Sequence, residues 1–201
     1  QPLQVWKEYF REWIVEAEPE NILHISVMFD FRFVYGDNAL FTDLEDYVFS
    51  ILKGRSAFYY FLAQSIARFK PPVNVFGNII TDSSKHHTET IDIKNGLSSV
   101  IMFARIYALH HGIRYKNTLQ RIQALKALEV FNPVTGEELS FHYNFLMLLR
   151  MKTQISQIKN REAIGNSIEY KKLSVTEQLL LKRMFSQMSS YDEKLSAEFM
   201  S

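Results

Sequence analysis

Apolar residues recur at helical spacing along most of this 201-residue chain, and the breaks carry residues that start or stop helices. Val5, Trp6, Tyr9, Phe10, Trp13 and Ile14 form one stripe over 2–17, and Pro2 stands where a missing N–H costs nothing. A second stretch opens at Pro19 and runs to Tyr35, before Gly36. Ile22, Ile25, Phe29, Phe33 and Val34 leave it no polar side, which predicts a helix at the centre of a bundle. Asp37 and Ser56 cap two more helices, the second ended by Pro71 and Pro72. From Ser98, Val100, Phe103, Ala104 and Tyr107 make a broad apolar face that Gly112 ends. Asn117 caps a segment to about residue 130. Thr135 with Glu138, and Ser174 with Glu177, read as capping boxes for two long helices.

These signals predict an all-α bundle of about eight helices in a single domain over 1–201. The pattern fails over 70–97. Val73, Val75, Ile79 and Ile80 read as a short strand and Thr90–Ile93 as a second, predicting a small β-hairpin near 73–94. Residues 160–173 read as a loop. Trp6, Phe10 and Trp13 follow Gln1 almost at once, without the loose polar start of most termini, so the chain is expected to be a piece of a longer protein. Their stripe either packs on the bundle or marks the face that meets an upstream domain, and a homodimer through it is expected in the second case.

Composition narrows the chemistry. Sixteen Phe and ten Tyr predict a large aromatic core. The absence of Cys removes disulfides, thiolate nucleophiles and Cys-type zinc sites. A net charge of +1 gives no reason to expect nucleic acid. No apolar run reaches membrane-spanning length and no signal peptide is present, which predicts a cytoplasmic protein. His86-His87 and His110-His111 are adjacent pairs; neighbours on a helix point about 100° apart and chelate poorly, so no metal site is expected. His24 and His142 read as ordinary helix residues. No P-loop, G-x-G-x-x-G, H-E-x-x-H or G-x-S-x-G pattern occurs, so no catalytic residue is assigned.

Charges inside apolar stretches are the informative residues. Asp30 and Arg32 interrupt Phe29–Asp37, and burying either unpaired would cost several kcal/mol. One reading gives both internal salt bridges. The other makes Arg32 the lining of a polar cleft that receives an anionic group, with Asp30 orienting it. Arg32 is expected to contact Asp37 or Asp92, and its removal to cost about 3–5 kcal/mol if that pair is buried. Asp92 and Lys94 flank a turn before the helix expected at Ser98, whose N-terminus could hold an anion. Arg105 and Arg150 raise the same burial question. Together these charges predict a polar seam through the bundle, with Arg32, Asp37, Asp92, Lys94 and Arg105 binding substrate and Asp30 and Arg150 orienting them.

The order of these clusters resembles a known family. FDFRFVYGD (Phe29–Asp37), DIKNG (Asp92–Gly96), ARIYALHHG (Ala104–Gly112), NTL (Asn117–Leu119) and LRMKTQ (Leu149–Gln154) look like the C-terminal substrate-binding domain found in nucleotidyltransferases that carry cyclic-nucleotide-binding and CBS modules. The likeness runs from Pro2 to about Met188. A more distant similarity reaches the helical regions of glutamine synthetase adenylyltransferase and PII uridylyltransferase, whose aspartate–x–lysine turn continues into a glycine pair; here Ser98-Ser99 stand instead.

The resemblance implies that nucleotidyl transfer belongs to an upstream catalytic domain in cis, which would hold Mg²⁺ and a nucleoside triphosphate on paired carboxylates. This chain shows no such pair, so alone it is expected to transfer nothing and to need no cofactor. It would shape the pocket of an acceptor substrate. A different class of reading is a regulatory or protein-interaction module in a signalling protein.

Overall fold

The structure is a computed structural model and describes residues 1–18, 22–66, 69, 71–74, 78–81 and 89–200, with the side chains of 23, 24 and 192 left out. The expectations placed on Pro19, Val75, His86-His87 and the side chain of His24 lie outside the described residues. Among the described residues, seven long helices and one short one account for most of the fold: α1 (Leu3–Val15), α2 (Ile22–Ser26), α3 (Asn38–Leu52), α4 (Ser56–Ile66), α5 (Ile93–His110), α6 (Thr118–Ala127), α7 (Pro133–Lys159) and α8 (Val175–Phe199). Two three-residue strands, β1 (Thr90–Asp92) and β2 (Ser167–Glu169), pair antiparallel. The chain is therefore an all-α bundle with a minimal β element. Among the described residues no helix is long and apolar enough to cross a membrane.

The centre of the bundle is α5, not the segment after residue 19. From Ile93 to Leu109 nearly every side chain of α5 is buried, and α4, α6, α7 and α8 pack around it. The segment after residue 19 is helical only to Ser26, passes through a 3-10 turn at Val27–Asp30, and then runs extended to the bend at Gly36. Sequence explains this in retrospect. Phe29, Phe31 and Phe33 alternate with Asp30, Arg32 and Val34, a period of two that suits an extended chain with one face on the core. Phe29 is buried, and Phe31 packs against Phe10 at 5.4 Å and Phe41 at 5.5 Å, while Val34 and Tyr35 point outward at 81% and 95% exposure.

Caps set most boundaries. Asp37 accepts from the N–H of Ala39, Asn117 from Leu119 and Gln120, and Ser174 with Glu177 forms the expected capping box. Two starts differ from expectation. Helix α5 opens at Ile93, because Asp92 Oδ1 accepts the Lys94 N–H at 2.7 Å, five residues before Ser98. Helix α7 is capped by Asn132, with Pro133 at its first position, rather than by Thr135 and Glu138. Gly96 lies within α5 where a Cβ would sit 2.6 Å from Phe185 Cε1, so this glycine lets α8 approach closely.

The small β structure is divided. A hairpin-like bridge joins Val73 to Ile79, with Asn74 N–H donating to Asn78 O and Ile80 N–H to Pro72 O. The second expected strand forms at Thr90–Asp92 but pairs with Ser167–Glu169, inside the stretch read as a loop. Ile91 and Ile168 face each other there and are both buried. Trp6 and Trp13 are half-buried and packed on the core. The larger exposed apolar surface belongs to α7, whose outward side carries Val134, Phe141, Leu148, Met151, Ile155 and Ile158.

Candidate functional site

Asp30 ends the 3-10 turn with its backbone about to leave the helical path, which aims its carboxylate at α5 and α6. One carboxylate oxygen accepts from Arg105 Nη2 on α5 and the other from Arg121 Nη2 on α6. Both guanidinia are buried, Arg105 at 5% exposure and Arg121 at 1%. Arg121 also donates from Nε to the carbonyl of Tyr115 at 2.6 Å, and Arg105 Nη1 lies 3.1 Å from Met102 Sδ. Arg105 Nε and Arg121 Nη1 are buried and have no hydrogen-bond partner among the described residues. Burial lowers the pKa of Arg121, and Arg105 lowers it further, while Asp30 opposes both. One acid thus neutralises only one of two buried cations, leaving local positive potential.

That potential lies behind a cleft of about 650 Å³ whose walls include Asp30, Arg32, Glu45, Arg114, Lys116 and Asn117. The cleft's cations differ in how they are held. Lys116 pairs with Glu45 at 2.9 Å and sits over the rings of Phe31 and Phe49. Arg114 pairs with Asp46 at 2.5 Å and reaches Glu45 at 3.4 Å. Arg32 is exposed and has no ion pair among the described residues. Neither Asp37 nor Asp92 bonds to it among the described residues: each spends an oxygen on its own helix cap. The expected Arg32 salt bridge is absent, because the extended backbone turns this side chain away from the core that Phe31 enters.

The other expected residues are divided between places. Asp37 stands at the start of α3, after the same extended segment. Asp92 and Lys94 are exposed at the N-terminus of α5, where Ile93 N–H donates to Asn166 O. Arg105 is twelve residues farther along that helix, about 18 Å at 1.5 Å per residue, so these do not form one cluster. Arg150 on α7 is half-buried, and neither its Nε nor the buried Oδ1 of Asn166 has a hydrogen-bond partner among the described residues. The polar seam expected through the bundle is therefore the Asp30–Arg105–Arg121 group, with Arg150 held elsewhere.

Arg121 escaped the sequence reading, together with Glu45, Arg114 and Lys116. A signal existed for Arg121: it lies beside Ile122 on the inward stripe of α6, with Thr118 and Leu125. An arginine on such a stripe demands a partner acid, and Asp30, a third exposed, is that acid.

Two of three comparisons with known proteins were empty: no curated protein and no solved structure matches this chain. The third was not. Residues 56–199, which include Arg105, Arg114, Lys116 and Arg121 but not Asp30 or Arg32, match the family described as "Putative nucleotidyltransferase substrate binding domain", and the chain belongs to that family.

Proposed function

We propose that this domain packs against a nucleotidyltransferase catalytic domain of the same polypeptide in the cytoplasm and shapes its acceptor-substrate pocket with the Arg32 cleft. The observation that carries the reading is the contrast among the cleft's cations. Arg114 and Lys116 are already paired, whereas Arg32 is exposed, has no ion pair among the described residues, and lines the same cleft as Asp30, the acid that two buried arginines share. A guanidinium so placed offers two-pronged donors to a carboxylate or phosphate of the acceptor. The Asp30–Arg105–Arg121 group fixes the segment that presents it. The same segment exposes Phe33, Val34 and Tyr35, with Leu40 nearby, an apolar rim for the catalytic domain to cover. Asp92 and Lys94 at the α5 N-terminus are a second contact region toward that domain. Mg²⁺ and the nucleoside triphosphate belong to the catalytic domain.

Steady-state kinetics of the full-length protein test this. Arg32→Ala is expected to raise KM for the acceptor by about tenfold or more, the loss of one charge-assisted contact, while KM for the nucleotide is unchanged. Unchanged acceptor KM, or a change confined to the nucleotide, overturns it.

A second reading, a regulatory interaction module, is favoured by the apolar outward side of α7. It places the homodimer contact on α7 rather than on the Trp6–Trp13 stripe, which is packed on the core. Sedimentation across a wide concentration range tests it, with Leu148→Lys expected to abolish association and a strict monomer counting against it.

A further inference from the structure

Helices α5 and α8 end at the same place. α5 closes at His110, with His111 as its C-cap, and α8 closes at Phe199. The His110 ring lies 5.0 Å from Phe199 and 5.0 Å from Tyr59, both edge-on, and 5.1 Å from His111. His110, His111 and Glu198 are exposed, and one donor atom from each lies within 4.8 Å of the other two.

Two facts lift this group above a chance cluster. Each helix C-terminus carries about half a negative charge, and two converge here, which favours a cation. Glu198 is not spent on an imidazole: no His–Glu ion pair within 4.0 Å forms among the described residues. It instead shares a cleft lining with the buried Tyr107, whose phenol is placed to act as an outer contact for a ligating carboxylate. Adjacent histidines on a continuing helix chelate poorly because they diverge. Here the helix stops between them, and the third donor comes from another helix.

We propose that His110, His111 and Glu198 form a divalent-metal site of the zinc type. Two imidazoles and one carboxylate suit a borderline ion rather than Mg²⁺ or Ca²⁺, which take oxygen donors. Bonds of about 2.0–2.1 Å require donors about 3.3 Å apart, a closure that exposed side chains reach by rotation alone. Three protein donors leave a fourth position for water or an anionic ligand. That position opens on a cleft of about 700 Å³ lined by Tyr107, Phe131, Lys194 and Glu198.

The test is calorimetric titration of the chain with Zn²⁺, with Co²⁺ absorption as a report on coordination. One ion per chain is expected, with tetrahedral-type visible bands for Co²⁺. His111→Ala and Glu198→Gln should each weaken binding by about 100-fold or more, while far-UV dichroism stays that of the parent. The double variant His86→Ala/His87→Ala should bind as the parent does. No saturable binding at one ion per chain overturns the proposal. So does parent-like binding in Glu198→Gln, or loss of binding in the His86/His87 variant.

Discussion

Asp30 holds Arg105 and Arg121 at once, one carboxylate oxygen to each guanidinium, and so ties α5 and α6 to the segment that precedes α3. The acid is a third exposed while both bases are buried, an arrangement in which the cations depend on the anion more than the reverse.

Asp30→Asn leaves two buried guanidinia facing each other without a counter-charge. The expected loss is about 3 kcal/mol, the lower end for breaking a buried pair because Asp30 retains some water. Urea unfolding followed by dichroism measures it. Arg32→Ala, in contrast, should unfold within about 0.5 kcal/mol of the parent, since it removes an exposed side chain with no ion pair. A shared large loss would mean that Arg32 belongs to the same buried group.

Two glycines in helices should both resist alanine, Gly96 more than Gly136. Gly96→Ala drives a methyl into the Phe185 ring, which α8 holds in the core, and should cost about 1–3 kcal/mol. Gly136→Ala overlaps Lys126 Cδ and Cγ, so Lys126 must leave its pair with Glu137, and the roughly 1 kcal/mol of helix propensity gained only offsets part of that clash. Thermal melts of the two variants check the order, and a Gly136→Ala loss larger than that of Gly96→Ala would reverse it.

His142 is buried and its Nδ1 lies 2.8 Å from the Tyr191 hydroxyl. Burial pushes its pKa below the usual histidine value, aided by Arg183 and opposed by Gln187 and Glu138. The unfolded chain therefore takes up a proton that the native chain refuses as pH falls below about 6.5. This contribution to stability is fully present above that pH and is lost on acidification toward the native pKa. His111, also lowered chiefly by burial, adds in the same direction. Melting temperature should fall from pH 7 to pH 5, and His142→Gln should flatten that fall without removing it. An equal slope in parent and variant would assign the effect elsewhere.

Local chemistry was legible in the sequence and distant pairing was not. Asp37, Asn117 and Ser174 with Glu177 announce their helices because a cap needs only the next two or three residues. The burial of Arg105 was visible from its apolar neighbours, but its acid lies 75 residues away and the acid's second arginine 91 residues away. The Phe29–Phe33 run misled because its three phenylalanines suit a buried helix and an extended segment alike, and only their period of two separates the cases. Ser167–Glu169 gave no strand signal of its own, since three residues pair only where β1 already stands.

Along the outward side of α7, Val134, Phe141, Leu148 and Ile155 recur every seven residues, with Met151 and Ile158 filling the intervening positions of the last turns. A seven-residue repeat on a helix of 3.6 residues per turn drifts by about 20° with each heptad. The line these side chains draw therefore winds slowly around the α7 axis instead of running straight down it. A rigid, straight surface could touch only part of it. A partner that covers all of it has to wrap with a left-handed twist, as a helix in a supercoil does.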